Sequence, residues 1–167
     1  MATPKFTAEE LRGHLIYDPD TGSFIRGPST RKKMLIGKPV HMSENHKGYY
    51  RIDVLGRPYF AHRLAWMIIY GEWPASIVDH INGDHKDNRI SNLRLASPSE
   101  NASNAKRYSN NTTGYKGVSE RRPGEFRARI QKNGRLISLG TFGTPEDAHA
   151  AYVSAANDVH GDFARAA

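Results

Sequence analysis

Val78-Asp79-His80-Ile81-Asn82-Gly83, running on to Asn92-Leu93-Arg94 and then Ser97-Pro98-Ser99-Glu100-Asn101, is the stretch on which the fold turns. Its order predicts strand, loop, strand, helix. Ile77 to Ile81 is a short apolar run rich in β-branched residues, and Asn82-Gly83 with the polar Asp84 to Arg89 breaks it into a loop. Asn92 to Ala96 predicts a second short strand. Ser97 then stands at N-cap, Pro98 at the first helical position and Glu100 at the third, which is a capping box. Asn101 falls on the first helical turn, with Asn104 on the same face.

Two strands and a helix in this order gather Asp79, His80, Asn92 and Asn101. A carboxylate, an imidazole and two carboxamides suit hydrolysis of a phosphodiester. One carboxylate and one amide oxygen can hold a hard cation such as Mg²⁺ (or Mn²⁺), with waters and a substrate phosphate completing its shell. A neutral imidazole can take a proton from water near pH 7. Taken singly, Asp79 and Asn82 read as turn formers and Asn101 as a helix-surface residue; the functional reading rests on all of them together. Neighbours in a regular strand face opposite ways, so Asp79 and His80 can serve one phosphate only at a strand end or an irregularity.

The stretch resembles the HNH endonuclease family and its ββα-metal motif. The match runs through His62-Arg63-Leu64-Ala65-Trp66, Gly71-Glu72-Trp73-Pro74, Asp79-His80-Ile81-Asn82-Gly83-Asp84, Asp87-Asn88-Arg89 and Asn92-Leu93-Arg94, over residues 10 to 107. The resemblance implies a metal-binding acid at Asp79, a general base at His80, a bracing Asn92 and a metal-binding Asn101 where the family more often has His. This His-Asn-Asn form is similar to that of phage homing endonucleases. Arg63, at the head of a helix beside this core, is a candidate phosphate contact, with packing and capping as equal readings.

Composition bounds the rest. The 167 residues allow one domain or two small ones, and 38% hydrophobic content is low for one large core. There is no cysteine, which excludes disulfides and a Cys-ligated zinc brace. No apolar run approaches membrane-spanning length, and Met1-Ala2-Thr3-Pro4-Lys5 lacks a signal-peptide core. A cytoplasmic protein, in the host cell if phage-encoded, is the expectation. Residues 106 to 135 carry nine Lys and Arg against two acids, so the whole formal charge of +7 sits there. That is the footprint of a nucleic-acid binder, against the plainer reading of a solvated basic surface.

Thr7-Ala8-Glu9-Glu10-Leu11 predicts a short helix with its own capping box, and Leu15 to Ile25 a hairpin turned at Asp18-Pro19-Asp20-Thr21-Gly22. Arg31-Lys32-Lys33 is a basic cluster in a loop. Gly48 to Leu55 predicts a strand, turned at Gly56-Arg57-Pro58, with Tyr59-Phe60-Ala61 pairing back. Residues 61 to 70 predict a helix, with Leu64, Ala65, Met67, Ile68 and Ile69 as its apolar side chains and Gly71 as its stop. A calcium loop over Asp79 to Asn88 fails, because Ile81 and Gly83 stand where oxygen ligands are needed. A zinc site from His80 and His85 finds no ligands to complete it.

The expected organisation is α+β: a nuclease domain over residues 1–108, a polar linker at 109–113, and a second domain over 114–167. There, Tyr115 to Arg121, Phe126 to Lys132 and Leu136 to Leu139 predict three strands, turned at Pro123-Gly124 and Asn133-Gly134. Thr144 caps a helix with an apolar stripe of Ala148, Ala151, Tyr152, Ala155, Ala156 and Val159, and Gly161 stops it. Three antiparallel strands on one helix leave a polar face free to enter a DNA groove. This part resembles the plant ethylene-response-factor (APETALA-type) DNA-binding domain in Gly117-Val118, Phe126-Arg127-Ala128-Arg129-Ile130, Leu139-Gly140-Thr141-Phe142 and Thr144-Pro145-Glu146-Asp147-Ala148. The resemblance makes Lys116, Arg121, Arg129 and Gln131 candidate DNA contacts, joined by Arg127 and Lys132 of the same basic strand. The family's sheet tryptophans are missing, so a different target sequence is implied. The expected activity is metal-dependent cutting of double-stranded DNA, as in a phage homing endonuclease, leaving 5′-phosphate and 3′-hydroxyl ends. A DNA-binding regulator that has lost cutting, and a nuclease acting on RNA, are the competing readings.

Overall fold

The computed structural model of the chain describes residues 5–104, 111–132 and 134–160. The architecture is α+β, in two compact units, Met1–Leu95 and Ala96–Ala167. The division falls ahead of the 109–113 linker read from composition, and residues 105–110 lie outside the described residues.

The first unit opens with α1 (Ala8–His14). The Thr7 side chain accepts from the Glu10 amide at 3.1 Å, and the Glu10 carboxylate accepts from the Thr7 amide at 2.8 Å, closing the expected capping box. Strands β1 (Leu15–Tyr17) and β2 (Phe24–Arg26) pair antiparallel with Ile16 opposite Ile25. The Asp18 carboxylate fastens their turn by accepting from the Asp20 amide at 2.9 Å and the Thr21 hydroxyl at 2.8 Å. A single 3-10 turn, Lys33–Leu35, follows.

Strands β3 (Ser43–Glu44), β4 (Tyr50–Val54) and β5 (Arg57–Phe60) form one antiparallel sheet in that order. The turn between β4 and β5 is Leu55-Gly56, both at positive φ (52° and 80°), not Gly56-Arg57-Pro58. Two such residues match the twist of the strands they join. Pro58 then sits inside β5, which an edge strand tolerates.

Helix α2 (Ala61–Tyr70) ends at Gly71, whose amide donates to the Met67 carbonyl. It buries Ala61, His62, Leu64, Ala65, Met67 and Ile68, while Ile69, grouped with them by sequence, is 40% exposed. The Arg12 guanidinium donates to the Ile68 carbonyl and ties α1 to α2. Leu11, Leu15, Ile52 and Leu64 are fully buried at the centre of this unit. Each such side chain contributes roughly 1.5–3 kcal/mol.

Strands β6 (Ile77–His80) and β7 (Leu93–Ala96) pair with each other. The expected strand to Ile81 stops one residue early, and Asn92 closes a 3-10 turn (Ile90–Asn92) ahead of β7 instead of opening the strand.

The second unit begins with α3 (Pro98–Asn104), opened by the expected capping box. Ser97 Oγ accepts from the Glu100 amide at 3.2 Å, and the Glu100 carboxylate from the Ser97 amide at 2.7 Å. Strands β8 (Val118–Arg122), β9 (Glu125–Lys132) and β10 (Arg135–Phe142) then form an antiparallel sheet with β9 central. The third strand runs past Leu139 to Phe142 by way of a bulge between Ser138 and Gly140. Helix α4 (Pro145–His160) is capped by Thr144, whose hydroxyl oxygen accepts from the Asp147 amide at 3.2 Å. Val118, Ala128 and Ile130 pack against Ala148, Tyr152 and Ala156. Gly117, at φ +75°, lies so close to the Tyr152 ring that a Cβ would stand 2.1 Å from it. Asn133 and the helix stop expected at Gly161 lie outside the described residues.

Candidate active site

Strand β6 ends on His80, so Asp79 and His80 share the strand terminus that their joint use requires. Both are buried, at 6% and 2% exposure. Arg94, on the paired strand β7, donates through Nε to the Asp79 carboxylate at 3.0 Å and fixes its direction.

The loop from Ile81 to Arg89 is held by side chains. Asn92 accepts from the Asn82 amide at 3.0 Å and donates from Nδ2 to Asn82 Oδ1 at 3.0 Å and to the Asp87 carbonyl at 2.8 Å. Asn82 donates to the Asp87 carboxylate at 2.8 Å, and Arg89 grips the same carboxylate at 2.8 and 2.6 Å. The Arg89 guanidinium pushes Asp87 down to about 2. Asn92 is therefore the clip of the loop, and it reaches His80 through the loop it braces.

His80 Nε2 faces Asn88 Oδ1 at 3.4 Å. Around His80 stand three more rings. His62 meets it edge-on at 5.0 Å, Tyr49 lies at 5.8 Å, and His85 stacks on Tyr49 at 3.9 Å. His85 Nδ1 is 2.8 Å from the Lys47 carbonyl and so carries its proton there. Burial lowers the affinity of His80 for a proton, against smaller opposing pulls from Asn88, Asp79 and Asp84. Burial holds His62 well below the ordinary histidine range, with the charges of His80 and Arg63 acting in the same direction. Both are neutral imidazoles at pH 7.

Among the sequence-derived candidates, Asp79, His80 and Asn92 come together in the first unit. Asn101 lies on the first turn of α3 in the second unit. Arg63 donates to the carbonyls of Ser76 and Pro74 at 3.0 and 2.9 Å and lies over the Trp73 ring at 4.7 Å, so its packing role is the one seen. Sequence reading passed over Asn88, Tyr17 and Tyr49. Asn88 was visible only as part of Asp87-Asn88-Arg89, where turn composition hid it.

In the second unit, Arg127, Arg129 and Gln131 alternate along β9 with Phe126, Ala128 and Ile130, which pack toward α4. Ser119 and Thr141 flank Arg127, Ser138 flanks Arg129, and Leu136 flanks Gln131. Lys132 closes the strand opposite Arg135. Arg121 is the extra residue of a β8 bulge, 3.8 Å from the Glu125 carboxylate. Lys116 precedes β8 and is half-buried.

Among the described residues, no three His, Cys, Asp or Glu side chains converge as a metal site. Within the first unit, the Asp79 carboxylate is a donor of the kind that suits a hard cation, which keeps waters and takes substrate oxygens.

A strand-end acid and imidazole under a loop clipped by an asparagine define an α+β protein of the HNH type. The pattern of the HNH endonuclease family matches residues 59–103. The chain is 32% identical over 106 residues to Protein 3.8 of Escherichia phage T7, covering 62% of this chain and 87% of that protein. It is 37% identical over 105 residues to Uncharacterized HNH endonuclease L560 of Acanthamoeba polyphaga mimivirus, covering 62% of this chain and 54% of the mimivirus protein. The chain thus spans about half the length of that relative. The solved HNH homing endonuclease I-HmuI, a structure concerned with DNA binding and cleavage, superposes with a TM-score of 0.43 at 24% identity, over 59% of this chain and 55% of that one. The chain carries an HNH endonuclease domain over residues 59–103. Among the described residues, no helix is long and apolar enough to cross a membrane.

Proposed function

We propose that the protein is a metal-dependent endonuclease that hydrolyses phosphodiester bonds in double-stranded DNA, serving as a homing-type enzyme in the cytoplasm of a phage-infected cell. The observation that carries this reading is the strand end itself. It presents Asp79 and a neutral His80 side by side, with the adjoining loop clipped by Asn92.

His80 takes a proton from water as the water oxygen bonds to phosphorus; the bond to the 3′-oxygen breaks, and that oxygen is protonated on leaving. Asp79 would hold the cation, Mg²⁺ or Mn²⁺, and Asn101 is the second ligand that the resemblance implies. When bound, the cation supplies positive charge to the scissile phosphate and the departing oxygen. Arg94 keeps the Asp79 carboxylate in place. The second unit serves as an ethylene-response-factor-like DNA-binding domain, with Lys116, Arg121, Arg127, Arg129, Gln131 and Lys132 on the duplex.

The test is cleavage of supercoiled plasmid and phage DNA by wild type and His80→Ala, with Mg²⁺ or with EDTA. Wild type is expected to cut with the metal only, and the variant to lose roughly 10²–10⁴-fold in rate. The other reading, a DNA-binding regulator, draws on the Asp79–Arg94 ion pair, which already occupies one oxygen of the proposed metal ligand. Tight binding by wild type with no cutting of any DNA, with or without metal, would decide for it.

A further inference from the structure

Asn88 is 2% exposed, and its amide is oriented from both ends. Nδ2 donates to the Lys86 carbonyl at 3.2 Å. A carbonyl only accepts, so that end is the NH₂ group and Oδ1 is the atom that faces His80 Nε2 at 3.4 Å. An amide oxygen also only accepts. The contact therefore requires the ring proton on Nε2 and leaves the lone pair on Nδ1. The distance is long for a hydrogen bond, as is common before substrate is in place.

The backbone of Asn88 is clamped by the β1–β2 hairpin, some 70 residues earlier in the chain. The buried Tyr17 hydroxyl donates to the Asn88 carbonyl at 2.7 Å. The Ile90 amide donates to the Pro19 carbonyl at 3.1 Å. Gly22, at φ +72°, lies so close that a Cβ there would stand 2.7 Å from Asn88 C and Arg89 N. Tyr17 is itself set by the Phe24 ring at 4.9 Å.

We propose that Asn88, held by the β1–β2 hairpin through Tyr17, is a positioning residue that fixes His80 as the Nε2–H tautomer and presents Nδ1 as the proton-accepting atom. The catalytic half of this inference rests on His80 being the base. The tautomer half does not.

The experiment reads both. Long-range ¹H–¹⁵N spectra of the full-length, histidine-labelled protein at pH 8, without metal or DNA, give the tautomer of each ring, with His80 assigned by its loss in His80→Gln. Wild type is expected to show Nε2–H at His80. Asn88→Ala is expected to lose that preference, and Asn88→Asp to restore it, because a carboxylate oxygen accepts the same bond. Single-turnover cutting with Mg²⁺ is expected to fall about 10–100-fold in Asn88→Ala with DNA affinity unchanged, and to recover in Asn88→Asp. Tyr17→Phe, which removes one hydroxyl, shows the same loss in smaller measure and decides the matter if Asn88→Ala does not fold. A wild-type His80 that carries its proton on Nδ1, or an Asn88→Ala variant with tautomer and rate unchanged, overturns the proposal. The expected tautomers in a wild type that cuts nothing would uphold the contact and overturn the nuclease reading instead.

Discussion

A neutral imidazole sealed inside the first unit makes that unit sensitive to acid, and His62 is the residue that shows it. Burial keeps its folded-state proton affinity well below the ordinary value of 6.5. In the unfolded chain the ring protonates normally. Below pH 6.5 the unfolded state therefore binds more protons than the folded one, and the stability present above that pH is lost as pH falls toward the folded value. The melting temperature of wild type is expected to drop between pH 7.5 and 5.5, and that of His62→Phe to drop less; parallel slopes in the two proteins would refute the assignment. Sequence could place His62 near the core but could not give its state, which comes from Tyr49 and His80 packing on it across the fold. Asn88 was equally illegible. Asn between Asp and Arg in a polar run reads as a turn former, and its burial is visible only once the hairpin is folded onto it.

Local rules located most element boundaries, because caps and turns are chemistry between near neighbours. Three capped helices start where Thr7, Ser97 and Thr144 said they would, and Gly71 ends α2. Where local rules failed, pairing had intervened. Arg57 and Pro58 were drawn into β5 by the partner strand, and β10 extends because a bulge lets it continue past Leu139. The β6–loop–β7 element depends on one residue in the same way. Asn92→Ala would leave the Asn82 amide and the Asp87 carbonyl without their partner, at about 1–3 kcal/mol each before water compensates. Chemical denaturation should read that loss directly, and cleavage should fall with it while DNA binding persists. By contrast Leu64→Ala, deep beneath α2, is expected to cost about 2–5 kcal/mol by cavity formation and to lower the denaturation midpoint with turnover per folded molecule unchanged.

At the scale of the whole molecule, six of the nine basic residues that make up the charge excess read from sequence lie on the β-sheet of the second unit. Its β9 carries Arg127 and Arg129 on the face away from α4. If both contact phosphates, replacing them with Ala should weaken binding to all duplexes alike and reduce the slope of log affinity against log salt by about 1.8. An unchanged slope in a fluorescence-anisotropy titration would remove them from the interface. The division of the chain at Leu95–Ala96 bears on such work too, because α3 and its Asn101 go with the second unit.

Surface turns are the usual places to graft a tag or a fluorophore, and the first unit has two hairpin turns that each hold a glycine at positive φ, Gly22 and Gly56. Gly56 has open space where a Cβ would stand, and residues inserted there extend into solvent. Gly22 touches the backbone of Asn88 and Arg89. A label spliced between Asp18 and Gly22 would push on the loop that meets His80, so an engineer who chose the wrong hairpin would silence the protein from its outer surface.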